Sequence, residues 1–439
     1  MRASGPSGPR QRGVAGATVR VRIEKLAPTG EGIARTEGGV GFIDRTLPGE
    51  LVETSIYERR RRFWRGHAVE VLEPSPDREG GAHAACAGCD WGHFALDAAR
   101  RAKGELFLET MERIGRLSPA LFGGPIEWMP SEKGYRLRTR LHVAGRGAEA
   151  RVGYFAPRTH DVVPAAACES IPEGTRRLFA GVRDAIAEGG PALSVSETAV
   201  LEDLDGERRL VRVSTDAPPP EVAALAERLA PLGDGARVRS LEGGIRLERG
   251  ARRLEYEIGG RRLRVSVDTF FQGNRFLVGP LASDVASHAR RIGPGEALDA
   301  FGGAGLFGGA LLSAGHRVVS VELDPEAVAD ARATREADPD GDRWAIEAAS
   351  VADYLRADDR RFDVVVVDPP RAGLGTVLAG ELAARTRALL LYVSCDPATL
   401  ARDLAALSAG GLRIRSARLY DLFAFTHRVE ALVALERPA

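Results

Sequence analysis

Residues 297–308 read Ala-Leu-Asp-Ala-Phe-Gly-Gly-Ala-Gly-Leu-Phe-Gly, and this stretch decides the predicted fold. Its first five residues indicate a short strand, and Gly303, Gly305 and Gly308 then satisfy the pattern G-x-G-x-x-G. Glycines at this spacing turn a strand into a helix and let a ligand approach the backbone closely. Glu322 closes the next predicted strand, where a carboxylate can accept both hydroxyls of a ribose. The stretch therefore predicts a Rossmann-like α/β sheet with a nucleotide-type cofactor at its carboxyl edge.

The rest of the C-terminal region supports a doubly wound parallel sheet. After Gly293 the sequence alternates apolar strands with helices rich in Ala, Leu and Arg. One of these strands, 362–367, ends in Asp368-Pro-Pro-Arg371, at the edge where such sheets bind ligands. NAD-dependent oxidoreductases share the glycine turn and the acidic residue but have no evident need for Asp-Pro-Pro. Methyltransferases that act on nucleobases commonly carry an acidic or polar residue before Pro-Pro, so methyl transfer is favoured and the oxidoreductase is the alternative.

A thiol and a carboxylate are predicted at the same edge. Cys395 directly follows the apolar run 388–393, and Asp396-Pro397 then indicates a helix start whose amides would favour a thiolate. Glu430 leads into the last predicted strand, 431–435. Taken alone, a cysteine beside an apolar run is usually a core residue, and a single glutamate is usually a surface residue. The catalytic interpretation of both therefore depends on their neighbours.

The N-terminal region predicts a small β-barrel that binds a polyanion. Short alternating runs between residues 17 and 74 are broken by Gly and Pro. Residues 1–72 hold 13 Arg and Lys against eight Asp and Glu, whereas residues 295–439 hold 16 against 22. The run Arg59–Arg65 mixes five arginines with two aromatics, a composition that binds phosphates and stacks on bases. A solvated hairpin is the competing interpretation, and the excess of arginine over lysine, 58 to 3, is equally expected from genomic base composition.

Composition shifts divide the chain into four predicted segments. Residues 1–13 have arginines among Gly, Pro and Ser and predict a disordered tail, without the apolar stretch of a signal peptide. The barrel follows over 14–74, a mixed α/β central domain over 75–267 and the doubly wound domain over 268–439. The sequence contains no run of 18 or more apolar residues. We expect a cytoplasmic monomer with no membrane partner.

The sequence resembles the uracil-5 RNA methyltransferase family, which modifies ribosomal and transfer RNA. The resemblance spans nearly the whole chain, and the N-terminal barrel is similar to the family's RNA-binding TRAM domain. It rests on the following motifs: Phe270-Phe-Gln-Gly-Asn274, Phe301 with the glycine turn, Glu322, Asp368-Pro-Pro-Arg371, Ser394-Cys-Asp-Pro-Ala-Thr-Leu400 and Thr426-His-Arg-Val-Glu430.

The resemblance implies S-adenosylmethionine as the cofactor and methylation at C5 of a uridine in RNA as the reaction. Ribosomal RNA is favoured over transfer RNA, because the chain has both an N-terminal barrel and part of the set of cysteines, described below, that binds a metal cluster in many family members. By position, the implied roles are cofactor contacts for Gln272, Phe301, Gly303, Glu322 and Asp368, nucleophile for Cys395 and base for Glu430.

These roles fit the chemistry of the uracil ring. C5 of uracil is too weak a nucleophile to take a methyl group unaided, but addition of a thiolate to C6 makes an enolate whose C5 can attack a sulfonium methyl. A base on the opposite face then removes the C5 proton, and elimination restores the cysteine. The uridine must leave any stack for the thiol to reach C6. Cytosine-5 methylation is a further alternative, but the sequence has no Pro-Cys nucleophile motif. Another is an RNA-binding protein whose catalytic domain has lost its activity.

Two departures from the family pattern concern the glycine turn and a metal site. The turn has Gly302 and Leu306 where the family usually has a small cysteine-like residue and often asparagine, so cofactor affinity is expected to differ.

Many family members hold a four-iron four-sulfur cluster on four cysteines. Cys86-Ala-Gly-Cys89 and Cys168 match three of those positions, but Gly80 occupies the first, so a full four-cysteine site is impossible. A fourth ligand from His83 or His93, a zinc site, and no metal at all are the alternatives that the sequence leaves open.

Overall fold

A computed structural model describes most of the chain, namely residues 18–80, 87–122, 124, 126–241 and 244–438. The predicted tail, residues 1–13, lies outside the described residues. None of the helices in the described part is long and apolar enough to cross a bilayer. The chain forms two compact units: the first comprises the described residues among 1–84, 89–106 and 425–427, and the second those among 85–88, 107–424 and 428–439.

The first unit contains the predicted β-barrel, a six-stranded sheet in the order β1-β5-β6-β4-β3-β2. Inward-facing side chains alternate along its strands and form a small apolar core around Ile43, Val52 and Trp64. Its strands are β1 (Thr18–Arg22), β2 (Lys25–Leu26), β3 (Gly32–Thr36), β4 (Gly39–Asp44), β5 (Leu51–Arg59) and β6 (Phe63–Glu73).

Trp64 corrects the interpretation of the basic run as a stacking surface. Its side chain is 1% exposed, because β6 turns every second residue into the barrel. A Cβ on Gly41, the residue paired with it on β4, would come within 2.2 Å of the indole ring. Trp64 is therefore a core residue of the barrel and does not face a nucleic acid.

The central sheet of the second unit has seven strands in the order β10-β9-β8-β11-β12-β13-β14. Two helices cover one of its faces, where Val182 and Leu225 of the helices join Val211 of the sheet in one apolar core. The elements from the barrel to this sheet are α1 (Leu96–Thr110), β7 (Glu127–Met129), β8 (Arg138–Ala144), β9 (Arg151–Phe155), β10 (Val162–Pro164), α2 (Glu173–Glu188), β11 (Val195–Glu202), β12 (Arg209–Thr215), α3 (Pro219–Leu229), β13 (Gly235–Arg239) and β14 (Ile245–Gly250).

The C-terminal sheet confirms the predicted doubly wound architecture. A hairpin, β15 (Leu254–Ile258) and β16 (Arg261–Val265), precedes it. The remaining elements are α4 (Val278–Arg290), β17 (Glu296–Ala300), α5 (Leu306–Ser313), β18 (Arg317–Glu322), α6 (Pro325–Ala337), β19 (Trp344–Ala348), α7 (Val351–Ala357), β20 (Phe362–Val367), α8 (Gly375–Arg385), β21 (Thr386–Ser394), α9 (Pro397–Ala409), β22 (Arg413–Tyr420) and β23 (Glu430–Glu436).

The strand order of this sheet is β19-β18-β17-β20-β21-β23-β22-β7. From β17 the chain first adds β18 and β19 on one side and then returns to add β20 and β21 on the other, so the strand order reverses between β17 and β20. Helices cover both faces, so Val364 and Val366 lie in one core while Val365 and Val367 lie in the other. A crevice opens outside the carboxyl ends of the strands at such a reversal, and this is where open α/β sheets bind ligands.

Candidate active site

The predicted site residues of the C-terminal sheet lie at one edge, on either side of the strand-order reversal. Strand β23 runs antiparallel to β21, and Ser394 is paired with Ala431, so the end of one strand is beside the start of the other. The positions are these: Phe301 follows β17, Glu322 ends β18, Asp368 follows β20, Cys395 follows β21 and Glu430 begins β23.

The glycine turn after β17 presents backbone to a ligand. Phe301, Gly303 and Gly305 all have positive φ angles, of 65°, 54° and 98°. Left-handed backbone is unusual for a phenylalanine, and strain of this kind is concentrated at functional sites. A Cβ added to Gly303 would meet nothing closer than the Phe270 carbonyl oxygen at 4.0 Å, so the space above the turn is open.

Glu322 fixes the far side of this turn. One of its oxygens accepts hydrogen bonds from the amides of Leu323 and Asp324, both at 2.7 Å, and the other accepts from the amide of Gly303 at 2.9 Å. The carboxylate is therefore held in place by backbone alone. Its remaining lone pairs can accept hydrogen bonds from hydroxyl groups.

Asp299, which the sequence showed only as part of a strand, is a buried acid beneath the glycine turn. It accepts a hydrogen bond from the Ser320 hydroxyl at 2.9 Å, and Ser320 in turn accepts one from the Trp344 indole at 2.9 Å. Burial raises the pKa of Asp299 to about 7. A Cβ on Gly302 would lie 3.0 Å from both the Asp299 carboxyl and the Ser320 Cβ, so a larger residue there would require one of these side chains to shift.

Gln272 and Asp368 meet at the switch point. The Gln272 side-chain amide donates a hydrogen bond to the Asp368 carboxylate at 2.8 Å, and Gln272 is only 5% exposed. Burial raises the pKa of Asp368 to about 7, although the Gln272 hydrogen bond acts against it, and Asp299 adds a further rise. Sequence spacing gave no indication of Gln272, because it lies in a loop without periodicity.

Cys395 and Glu430 form the acidic and poorly solvated end of the site. Glu430 is 2% exposed, and its Oε1 has no hydrogen-bond partner in the described part of the chain. Burial, and then the charge of Asp368, hold the pKa of Glu430 well above its usual value. Burial likewise raises the pKa of the half-buried Cys395 thiol to about 11, with further rises from Glu430 and Asp368 and opposing effects from Arg371 and Arg428.

The prediction that helix amides favour a Cys395 thiolate is wrong. The carboxylate of Asp396 caps α9 by accepting hydrogen bonds from the amides of Ala398 and Thr399, at 3.0 and 2.9 Å. The amides are thus used by a residue that is itself negative, so the net effect of the surroundings is to keep the thiol protonated.

The loop that follows Pro370 is fixed by α9. Asp403, fully buried, accepts hydrogen bonds from the amides of Leu374 and Gly375 at 2.6 and 3.2 Å and from the Tyr392 hydroxyl at 2.8 Å. The Thr399 hydroxyl donates to the Arg371 carbonyl at 3.2 Å. These contacts set the course of the Asp-Pro-Pro-Arg segment beside Cys395.

Comparison with known proteins identifies the family. The model of the tRNA (uracil-5-)-methyltransferase family matches residues 350–438, and the TRAM domain model matches residues 14–69. An RNA methyltransferase of Streptomyces avermitilis is 35% identical over 97% of this chain and 99% of its own length. The 23S rRNA (uracil(1939)-C(5))-methyltransferase RlmD of Halomonas elongata is 30% identical over 95% of this chain and 89% of its own length. The chain belongs to the uracil-5 RNA methyltransferase family.

Members of this family share the fold as well as the sequence. The crystal structure of Pyrococcus abyssi tRNA (uracil-54, C5)-methyltransferase in complex with S-adenosyl-L-homocysteine superposes with a TM-score of 0.75, at 22% identity over 95% of this chain and 99% of that one. Family membership argues against the oxidoreductase alternative that the glycine turn left open.

The metal site implied for the family has no support in the described part of this methyltransferase. Cys86 and His83 lie outside the described residues, and Cys89 and Cys168 are both buried. Among the described residues, no group of three or more His, Cys, Asp and Glu side chains could hold a metal ion. Burial, together with Arg78 and Arg45, lowers the pKa of His93 to about 4, so its imidazole is neutral at physiological pH.

The barrel of this methyltransferase retains part of the predicted basic surface. Arg61 and Arg62 are exposed in the turn between β5 and β6, and neither forms an ion pair with another described residue. Arg60 pairs with Glu58 at 2.7 Å, and Arg65 lies 5.3 Å from the centre of the Phe42 ring. Arg65 also pairs with Glu31, so among the described residues the unneutralised charge of the run lies on Arg59, at the end of β5, and on Arg61 and Arg62 in the turn.

We expect Cys395 to be alkylated slowly by iodoacetamide at pH 8 in the protein without cofactor, because a thiol with a pKa of about 11 is only about 0.1% ionised there. The rate should still be rising at pH 10. Glu430→Gln removes a carboxyl group that raises the thiol pKa, so it should increase the rate at pH 8. Peptide mass spectrometry distinguishes Cys395 from the other cysteines.

Glu436→Gln is the matched control, because Glu436 ends the same strand and pairs with Arg415 at 2.8 Å. It should leave the alkylation rate unchanged. Identical pH profiles for wild type and Glu430→Gln would contradict this account of the electrostatics.

Proposed function

We propose that this enzyme transfers a methyl group from S-adenosylmethionine to C5 of a uridine in RNA through a covalent bond to Cys395, and that its substrate is 23S ribosomal RNA. The observation that carries the proposal is the meeting of a thiol and a buried, unpartnered carboxyl group, Cys395 and Glu430, at the sheet edge that also carries Asp368. Family membership supports the reaction class.

The residues at the switch point fit the cofactor. The open turn at Gly303 and the backbone-held carboxylate of Glu322 suit an adenosine, with Glu322 accepting the ribose hydroxyls. Phe301, Gln272 and Asp368 line the edge towards Cys395, and the acidic groups there suit a sulfonium cation. When bound, S-adenosylmethionine supplies the methyl group as an electrophile.

Cys395 begins the reaction by adding to C6 of the flipped uridine. The thiol proton must leave as the sulfur–carbon bond forms, and the electron pair of the C5–C6 double bond moves into the ring as an enolate. Asp368 is suited to receive this proton, because a pKa of about 7 lets it change protonation state near neutral pH. The electron pair then forms the new bond from C5 to the methyl carbon.

Glu430 completes the reaction as the base. Its carboxylate takes the proton from C5, the C5–C6 double bond reforms and the sulfur–carbon bond breaks. A carboxyl group with a raised pKa is a stronger base once ionised, which suits removal of a carbon-bound proton. The released thiolate recovers a proton, so Cys395 ends as it began.

Cys395→Ala should abolish methyl transfer, because no other described thiol lies at this edge of the sheet, while RNA binding should remain within about twofold of wild type. RNA that contains 5-fluorouridine should form a stable adduct at Cys395, since fluorine cannot be removed as the C5 proton is. Radiolabelled methyl incorporation and mass spectrometry of the adduct are the measurements. Methylation by the alanine variant at the wild-type rate would overturn the mechanism.

RNA is proposed to bind partly through the barrel. The exposed Arg61 and Arg62 lie together in the turn, and like Arg59 they form no ion pair with another described residue. Family membership and the TRAM match, residues 14–69, support RNA as the partner.

The double variant Arg61→Ala/Arg62→Ala should weaken RNA binding and reduce the slope of log Kd against log salt concentration by about 1 to 2, since each phosphate contact releases roughly one counterion. Arg35→Ala is the matched control, because Arg35 on the same barrel already pairs with Glu24 at 3.1 Å. Fluorescence anisotropy at several salt concentrations measures both. A slope equal to that of wild type would show that this turn does not contact phosphates.

Ribosomal RNA is preferred as the substrate because the relative named as a 23S rRNA uracil-5 methyltransferase is 30% identical over 95% of this chain. Transfer RNA is the alternative. In cells that lack the gene, 5-methyluridine should disappear from one site in 23S rRNA and return on expression of wild type but not of Cys395→Ala. Mass spectrometry of nuclease-digested, separated RNAs measures this; a loss confined to transfer RNA would overturn the ribosomal assignment.

A further inference from the structure

Gln272 lies in a segment without helix or strand, between β16 and α4. Its side-chain amide nevertheless donates a hydrogen bond to Asp368 at the switch point. The side that follows Gln272 is fixed by Asn274, whose amide donates to the Ser131 hydroxyl at 2.8 Å and to the Leu422 carbonyl at 3.3 Å. The side that precedes Gln272 is bound by two carboxylates: that of Asp268, which pairs with Arg237 and Arg239, and that of a residue on α6.

The second of these is Asp330, which is fully buried. One of its oxygens accepts hydrogen bonds from the Ser266 amide at 2.7 Å and from the Thr269 hydroxyl at 2.6 Å. The other accepts from the Arg253 guanidinium. The carboxylate therefore binds the segment on both sides of Asp268, and Thr269 lies three residues before Gln272.

Two further contacts fasten the hairpin along the same helix. The Thr334 hydroxyl, one turn beyond Asp330, accepts a hydrogen bond from the Arg264 amide at 2.9 Å. Arg261 is bound at the end of α6 by Asp338 and Asp340. These contacts dock β16 onto α6, but only those of Asp330 reach the segment that carries Gln272.

Burying a carboxylate here costs free energy that an apolar contact between strand and helix would avoid. In return the position of the segment is better defined, because hydrogen bonds to an amide and a hydroxyl are more directional than apolar packing. Helix α6 begins three residues after Glu322, which ends β18, so Asp330 connects the helix that follows Glu322 to the segment that carries Gln272.

We propose that Asp330 is a positioning residue for the cofactor site: through Ser266 and Thr269 it sets Gln272 at a fixed distance from Asp368 and Glu322. The inference rests on the proposed function, in which Gln272 and Glu322 contact S-adenosylmethionine. Asp330 itself touches neither cofactor nor RNA.

Thr269→Val tests the proposal without removing a buried charge, because it replaces with a methyl group the hydroxyl that bonds Asp330 and the Ser266 hydroxyl. It should raise the Kd for S-adenosylhomocysteine, measured by isothermal titration calorimetry, about fivefold. Thr269→Ser keeps the hydroxyl and should restore the wild-type Kd.

Thr334→Val is the matched control. It removes one hydrogen bond between the same helix and the hairpin that precedes the Gln272 segment, and should lower Tm at least as much as Thr269→Val while leaving the Kd within about twofold of wild type. If the Kd changes of the two valine variants follow their losses in Tm, or if Thr269→Val leaves the Kd unchanged, the positioning role is overturned.

Gln272→Ala separates this inference from the proposed function. A higher Kd in Gln272→Ala together with an unchanged Kd in Thr269→Val would overturn only the role of Asp330. An unchanged Kd in Gln272→Ala would overturn both the cofactor contact of Gln272 and the positioning role that depends on it.

Discussion

Three carboxyl groups, those of Asp299, Asp368 and Glu430, are buried around one edge of the C-terminal sheet, and the electrostatics of the site follow from them. Gln272 and Ser320 are the side chains that donate hydrogen bonds to this group in the described structure. Burial therefore raises the pKa of each acid. Such a group favours protons and cations, which suits the proposed mechanism, in which two side chains accept protons beside a sulfonium.

Burial, together with two of the same acids, also raises the pKa of the Cys395 thiol. Helix starts and neighbouring arginines lower thiol pKa values in many enzymes. Here Asp396 takes the helix amides, and the buried acids outweigh Arg371 and Arg428. These surroundings favour the protonated thiol, and a positively charged ligand nearby would lower its pKa.

Much of the fold could be predicted from the sequence, because its signals are local. The glycine turn, the apolar strands and the Asp-Pro-Pro segment each identify themselves within a few residues, and parallel strands bring their carboxyl ends together. The orientation of Trp64 was not predicted correctly, since inward and outward positions of a short strand depend on what it faces. Asp299 and Asp330 gave no signal, because their roles depend on partners distant in sequence. Gln272 was assigned only from the resemblance.

Asp403 has a consequence for how this site can vary between relatives. It binds the segment after Pro370 through the amides of Leu374 and Gly375, so the hydrogen bonds would survive most changes of side chain there. An insertion or deletion would instead move the amides out of reach. Backbone recognition of this kind constrains the length of a segment and leaves its composition free, so divergence near the thiol should appear as substitutions and rarely as gaps.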